Sequence, residues 1–162
     1  MIREAQESIY IFLDVDGVLN RQCDWVKLFT VHVACVRRFS DFCQSVGGRV
    51  ILISTWKNGY VGKNNPANSD PIKALEQHFP IYGKIADGDR LEQIEQYVEQ
   101  HGIRRYVIID DDKTEYSRTD SHICFVDARS GFSTKDARMC RKIISRISIG
   151  ESANQMQKLT DV

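Results

Sequence analysis

"YIFLDVDGVLN" (residues 10–20) runs from a strand-like segment straight into a pair of carboxylates. Residues 10–13 are aromatic or branched aliphatic and read as a buried strand, which ends by setting Asp14 and Asp16 one residue apart. On an extended chain residues i and i+2 share a side, so both carboxylates face the same way. Like charges so placed repel each other unless a cation lies between them. Asp and Gly are also turn formers, and "DVDG" taken alone is satisfied by a bend in the chain. The rest of the sequence decides between the two.

The chain has 162 residues, enough for one well-packed domain and too few for two ordinary ones. That domain is expected to span residues 1–150, with 151–162 forming a polar tail without order. Lys plus Arg equals Asp plus Glu at 22 each, so the strongly basic signature of a dedicated nucleic-acid binder is absent, which leaves room only for a local basic patch. The first apolar segment is short and soon meets two aspartates, unlike a signal peptide. No run of about 18 apolar residues occurs, so no membrane span is expected. The five cysteines (Cys23, Cys35, Cys43, Cys124, Cys140) contain no C-x-x-C pair and are expected to be reduced, mostly core thiols of a cytoplasmic protein. His32, His78, His101 and His122 show no metal-ligand spacing, so no zinc site is expected.

Outward from the opening stretch, apolar runs alternate with amphipathic segments. "SIYIFL" (8–13), "RVILIS" (49–54), "RYVIID" (105–110) and "HICFVD" (122–127) are predicted strands. Helices are predicted over 31–46, where Cys35, Val36, Phe39, Phe42, Cys43 and Val46 recur at i, i+3, i+4 before Gly47-Gly48, and over 89–102 and 133–147. A shorter helix is predicted over "DPIKALEQHF" (70–79), with Asp70 as N-cap and Pro71 in the first turn. The Asn- and Gly-rich segment 55–70 is predicted to be loop. Continuous apolar strands alternating with helices imply an α/β fold: a three-layer, Rossmann-like parallel sheet with helices on both faces.

In open parallel sheets ligands bind beyond the carboxyl ends of the strands. Three predicted strands end there in Asp14 and Asp16, in Ser54-Thr55, and in Asp110-Asp111-Asp112, with Arg90 and Lys84 just before the third. Carboxylates with few nitrogen ligands make a hard oxygen site suited to Mg2+. Such an ion reconciles the aspartates and neutralises an incoming phosphate, and an aspartate can then attack phosphorus. The pattern therefore points to phosphoryl transfer.

"DVDGVLN", "LIST" and "IIDDD", in that order, resemble motifs I, II and IV of the haloacid dehalogenase (HAD) superfamily, over positions 9 to about 112. More narrowly, "FLDVDGVLN…STW…DR…YVIIDDD…GFS" is similar to the small HAD domains linked with RNA-repair proteins, distant relatives of polynucleotide 3′-phosphatases. The resemblance implies a Mg2+-dependent phosphatase. Asp14 would be its nucleophile and Asp16 its general acid/base, which would also offer its main-chain carbonyl to the metal. Ser54 would bind phosphate, and Asp110 would be a metal ligand with Asp111 in the first or second shell. Where the family usually places a lysine in motif III this chain has Arg90, with Lys84 as the alternative phosphate-binding cation. The gaps 21–53 and 56–89 leave no space for a large cap domain, so an open site is expected. Such a site suits a bulky phosphorylated substrate such as a nucleic-acid end or a nucleotide. Trp56, Lys57, Asn58, Tyr60 and Lys63 follow the motif II serine and could stack a base and contact phosphates, or simply pack and be solvated. Arg21 and Trp25 stand in the same position after motif I. Two alternatives stay open: a catalytically silent HAD fold used for binding, and a receiver-type phospho-accepting domain. The oligomeric state is not legible.

Overall fold

The structure is a computed structural model that describes residues 8–27, 29–58, 71–118 and 120–160. Five parallel strands form one sheet: β1 (Ile9–Leu13), β2 (Gly48–Leu52), β3 (Ile81–Lys84), β4 (Tyr106–Asp110) and β5 (Ile123–Phe125). Their order is β3-β2-β1-β4-β5, so the strand that carries Asp14 and Asp16 is central. Among the described residues four α-helices complete the α/β fold: α1 (Val33–Val46), α2 (Pro71–Glu76), α3 (Arg90–Gln100) and α4 (Thr134–Thr160). Among the described residues there is no large cap.

Alternation along the strands builds two cores, because successive residues point to opposite faces. Ile11 and Leu13, with Val50, Leu52, Val107 and Ile109, pack against Val36, Phe39 and Phe42 of α1 and Cys140, Ile143 and Ile144 of α4. Phe12, Ile51, Ile53 and Ile108 point the other way, onto Leu91 and Ile94 of α3. The helices stop and start where local chemistry allows it. Gly47, at φ 63°, ends α1 in the left-handed conformation a glycine adopts without strain. The Asp89 side chain accepts from the Glu92 N–H and caps α3. Ser133 and Asp136 cap α4 reciprocally through backbone and side chain.

The register positions the site. Leu13 pairs with Leu52 on one side and Ile109 on the other, so one step further Asp14 comes beside Asp110. The Asp14 N–H continues the ladder to the Ile109 carbonyl at 2.9 Å.

The structure adds to the sequence reading in two places. β3 is not among the predicted strands; it is a four-residue edge strand, half-exposed along its length, and "PIYGK" offers neither an apolar run nor clean alternation. Lys84 therefore lies at the end of a strand. α4, predicted over 133–147, runs on to Thr160, through Ala, Gln, Met, Lys and Leu, all good helix formers. The N-cap expected at Asp70 and the candidates Tyr60 and Lys63 lie outside the described residues. Among the described residues no helix is long and apolar enough to cross a membrane.

Candidate active site

β1 and β4 deliver three carboxylates to one place. Asp14, Asp110 and Asp111 each present an oxygen within 4.8 Å of the others. Asp14 is 6% exposed and Asp110 fully buried. Charges this close and this dry are costly, and the titration of Asp14 registers it. Burial foremost, and then the charge of Asp110, push its carboxyl well above the usual range, with Arg90 pulling the other way. Asp111 is raised as well, chiefly by burial and further by Asp110, and it lies within hydrogen-bonding reach of Asp14.

Gly17 makes room for Asp111. It adopts φ 80°, and a side-chain carbon in its place would overlap the Asp111 carboxylate. The turn after β1 is thus fitted to the residue that follows β4.

Arg90 is the cation of the cluster. Standing at the start of α3, it donates from Nη1 to Asp110 Oδ2 at 2.7 Å, with Asp14 Oδ1 at 3.9 Å. Burial disfavours its charge, but Asp110 and Asp14 more than offset that and raise its pKa. Lys84 does not join it; its Nζ donates to the Lys57 carbonyl at 3.3 Å. The two candidate cations therefore separate, and the guanidinium is the one brought to the carboxylates.

Asp110 accepts from three donors. Besides Arg90 it accepts from the Tyr116 hydroxyl at 2.6 Å, also on Oδ2, and from the Asp112 N–H at 3.0 Å on Oδ1. Asp112 turns back on itself, capping a short turn through the Thr114 N–H and hydroxyl, which hold its carboxyl low. Tyr116 has no signal in the sequence, since nothing in "DDDKTEY" singles out its sixth residue beyond Asp110.

Asp16 is held apart from the other three. Its Oδ1 accepts from Asn20 Nδ2 at 2.8 Å and its Oδ2 from the Trp56 indole N–H at 3.1 Å. Asn20, 2% exposed, is the hub of this loop. Its Oδ1 accepts from the Gly17 N–H and from the Trp25 indole N–H, each at 2.8 Å, and its Nδ2 also donates to the Thr30 carbonyl. Ser54, buried just beyond β2, accepts the Trp56 N–H at 3.2 Å. Trp56 is buried with its ring edge-on to Phe29 at 5.0 Å, so it has no free face for a base. Lys57 is buried too and paired with Asp87 at 3.0 Å. Trp56 thus packs, as one of the two expectations had it, whereas Lys57, expected there to be solvated, is buried. Trp25 remains 43% exposed, while Arg21 is engaged by Asp24 at 3.1 Å. Asn20 and the bond from the Trp56 indole to Asp16 escaped the sequence, where Asn20 was visible only as the last letter of "DVDGVLN".

Over residues 10–137 the chain matches the family described as the HAD domain in Swiss Army Knife RNA repair proteins, and it belongs to that family. No curated protein and no solved structure matches it.

Proposed function

We propose that the protein is a Mg2+-dependent phosphomonoester hydrolase working through an aspartyl-phosphate on Asp14, with the phosphorylated end of a nucleic acid or a nucleotide as substrate. The observation that carries this is the carboxylate cluster: three aspartates from two adjacent strand ends, buried together, with one guanidinium between them. An all-oxygen donor set with excess negative charge fits a hard divalent cation. Asp14 and Asp111 would hold the ion, joined by the main-chain carbonyl of Asp16. Asp110, whose Oδ2 is shared by Arg90 and Tyr116, carries only the Asp112 N–H on Oδ1 and would offer that oxygen to the ion as well. Bound there, the ion supplies charge neutralisation for the aspartates and for the phosphoryl oxygens.

The chain's own residues account for the steps. Asp14 attacks phosphorus and the ester P–O bond breaks; Asp16 gives its proton to the departing oxygen. Water then attacks the phosphorus of the acyl-phosphate, Asp16 takes its proton, and Asp14 is released with inorganic phosphate. Arg90 and the Ser54 hydroxyl bind phosphoryl oxygens whose charge is spread in the transition state. Asn20 and Trp56 fix where Asp16 stands between its two proton transfers.

The test is phosphate release from phosphorylated RNA and DNA ends, mononucleotides and an aryl phosphate, with Mg2+ and with chelator, beside Asp14→Asn. Release that needs both the metal and Asp14 is expected. Release that survives Asp14→Asn would contradict the assignment.

A further inference from the structure

Charge is distributed unevenly over a chain whose total is zero. Residues 33–46 of α1 and 134–150 of α4 hold seven cations (Arg37, Arg38, Lys135, Arg138, Arg141, Lys142, Arg146) and two carboxylates, Asp41 and Asp136. α3, on the opposite face, carries Arg90 against Glu92, Glu95 and Glu99. α1 and α4 are therefore basic and α3 acidic.

Between α1 and α4 runs an open groove of about 290 Å3, with Phe42 and Ala137 at its floor and Arg38, Arg138 and Arg141 along it. Arg141 lies over the Phe42 ring at 5.4 Å and donates to Ser45 Oγ at 2.9 Å. Arg38 donates to the Phe132 carbonyl at 3.4 Å. None of the three has a carboxylate within ion-pair distance among the described residues, although Asp41 lines the same groove. Their positive charge is left for something else. α1 and α4, which line the groove, begin on the rim of the sheet that holds the carboxylates: the Phe132 N–H, two residues before α4, donates to the Val18 carbonyl at 2.7 Å, in the loop that carries Asp14 and Asp16.

We infer that the α1–α4 face is a docking surface for the phosphodiester backbone of a polynucleotide whose phosphorylated end enters the site at Asp14. Five of the seven cations are arginines, whose planar forks match phosphate oxygens better than an ammonium does. A row of arginines at the side of a small open site accounts for how a domain without a cap holds a long substrate. An anionic membrane is the less fitting partner, because among the described residues the exposed apolar side chains of these helices, Val33, Met139 and Ile149, are scattered and make no inserting face. The inference rests on the phosphatase proposal only for the substrate's end; the binding itself stands separately.

The experiment has two arms, using the full chain and the double variants Arg138→Gln/Arg141→Gln and Arg138→Glu/Arg141→Glu, with far-ultraviolet circular dichroism to confirm folding. In the first, a labelled single-stranded RNA 20-mer without a terminal phosphate is titrated and followed by anisotropy. Wild type binds, the Gln pair weakens binding at least about tenfold, and the slope of log K against log salt falls by roughly 1.4, the value for two lost contacts. In the second, kcat/KM on a 3′- or 5′-phosphorylated 20-mer falls by a similar factor relative to that on an aryl phosphate, through KM. A variant that folds and binds the 20-mer as wild type does would overturn the inference, as would wild type binding phosphatidylserine vesicles in preference to RNA. Binding that behaves as described in a protein that hydrolyses no phosphoester would refute the phosphatase and leave the docking surface standing.

Discussion

Removing one charge from the cluster should make the metal-free protein more stable and the metal-loaded protein less so. Asp111→Asn keeps the shape of the side chain over Gly17 and deletes a negative charge beside Asp14 and Asp110. In the absence of metal three carboxylates face one guanidinium, at 2.7 Å from Asp110 and 3.9 Å from Asp14. Relieving a functional site of this kind is worth about 0.5–2 kcal/mol. At roughly 2–4 °C per kcal/mol for a chain of this size, Tm in chelator should rise by about 1–8 °C. Mg2+ at a hundred times its Kd stabilises wild type by about 2.7 kcal/mol, or roughly 5–11 °C, and the variant, short of one ligand, loses most of that. The melting order should therefore invert: variant above wild type in chelator, wild type above variant in Mg2+. The pH dependence has a definite sign. Asp14 and Asp111 titrate higher folded than unfolded, so the metal-free wild type is penalised above their folded pKa values and relieved as pH falls toward 3.8, their unfolded reference. The advantage of the variant in chelator should shrink between pH 7 and about pH 4. Differential scanning fluorimetry across both series is the assay. A variant that melts below wild type in chelator at pH 7 and gains as much from Mg2+ would refute the reasoning.

Other perturbations separate the roles of the surrounding residues. Trp56→Phe keeps the ring against Phe29 and removes the donor to Asp16. It should slow alkyl phosphates, which need a proton on the leaving group, by about 10–100-fold, while a p-nitrophenyl ester, with its good leaving group, slows far less; equal losses on both would count against a positioning role. Arg90→Met should cost about 3–5 kcal/mol by urea denaturation, because Asp110 is left buried and charged, and Asp110→Asn in the same chain should recover part of it. Tyr116→Phe, which removes a 2.6 Å hydrogen bond to that buried carboxylate, should cost about 1.5–3 kcal/mol in the same measurement.

How much of this was legible depended on whether a residue acts through local pattern or distant contact. β1, β2 and β4 were readable because buried parallel strands are continuous apolar runs, and their ends announced Asp14, Ser54 and Asp110. β3 was not, since an edge strand half open to solvent needs no such run. The position of Arg90 in front of the third predicted strand marked it as a candidate, but only the fold separates it from Lys84, six residues earlier. Tyr116 and Trp56 matter through single hydrogen bonds to Asp110 and Asp16, and nothing in their neighbourhoods foretells those partners. The basic face escaped for another reason: α1 and α4 are a hundred residues apart in sequence, and a net charge of zero hides an asymmetry that only packing brings together.

The central claim is that Asp14 becomes phosphorylated during turnover. The protein should be quenched in acid during hydrolysis of a substrate labelled in its phosphoryl group, digested with a protease active at low pH, and sequenced by mass spectrometry. An acid-stable, hydroxylamine-labile phosphate on Asp14, formed only with Mg2+ and absent from Asp14→Asn, is the predicted result. Label on Asp110 or Asp111, or turnover with no covalent label under conditions that trap it, would contradict the account.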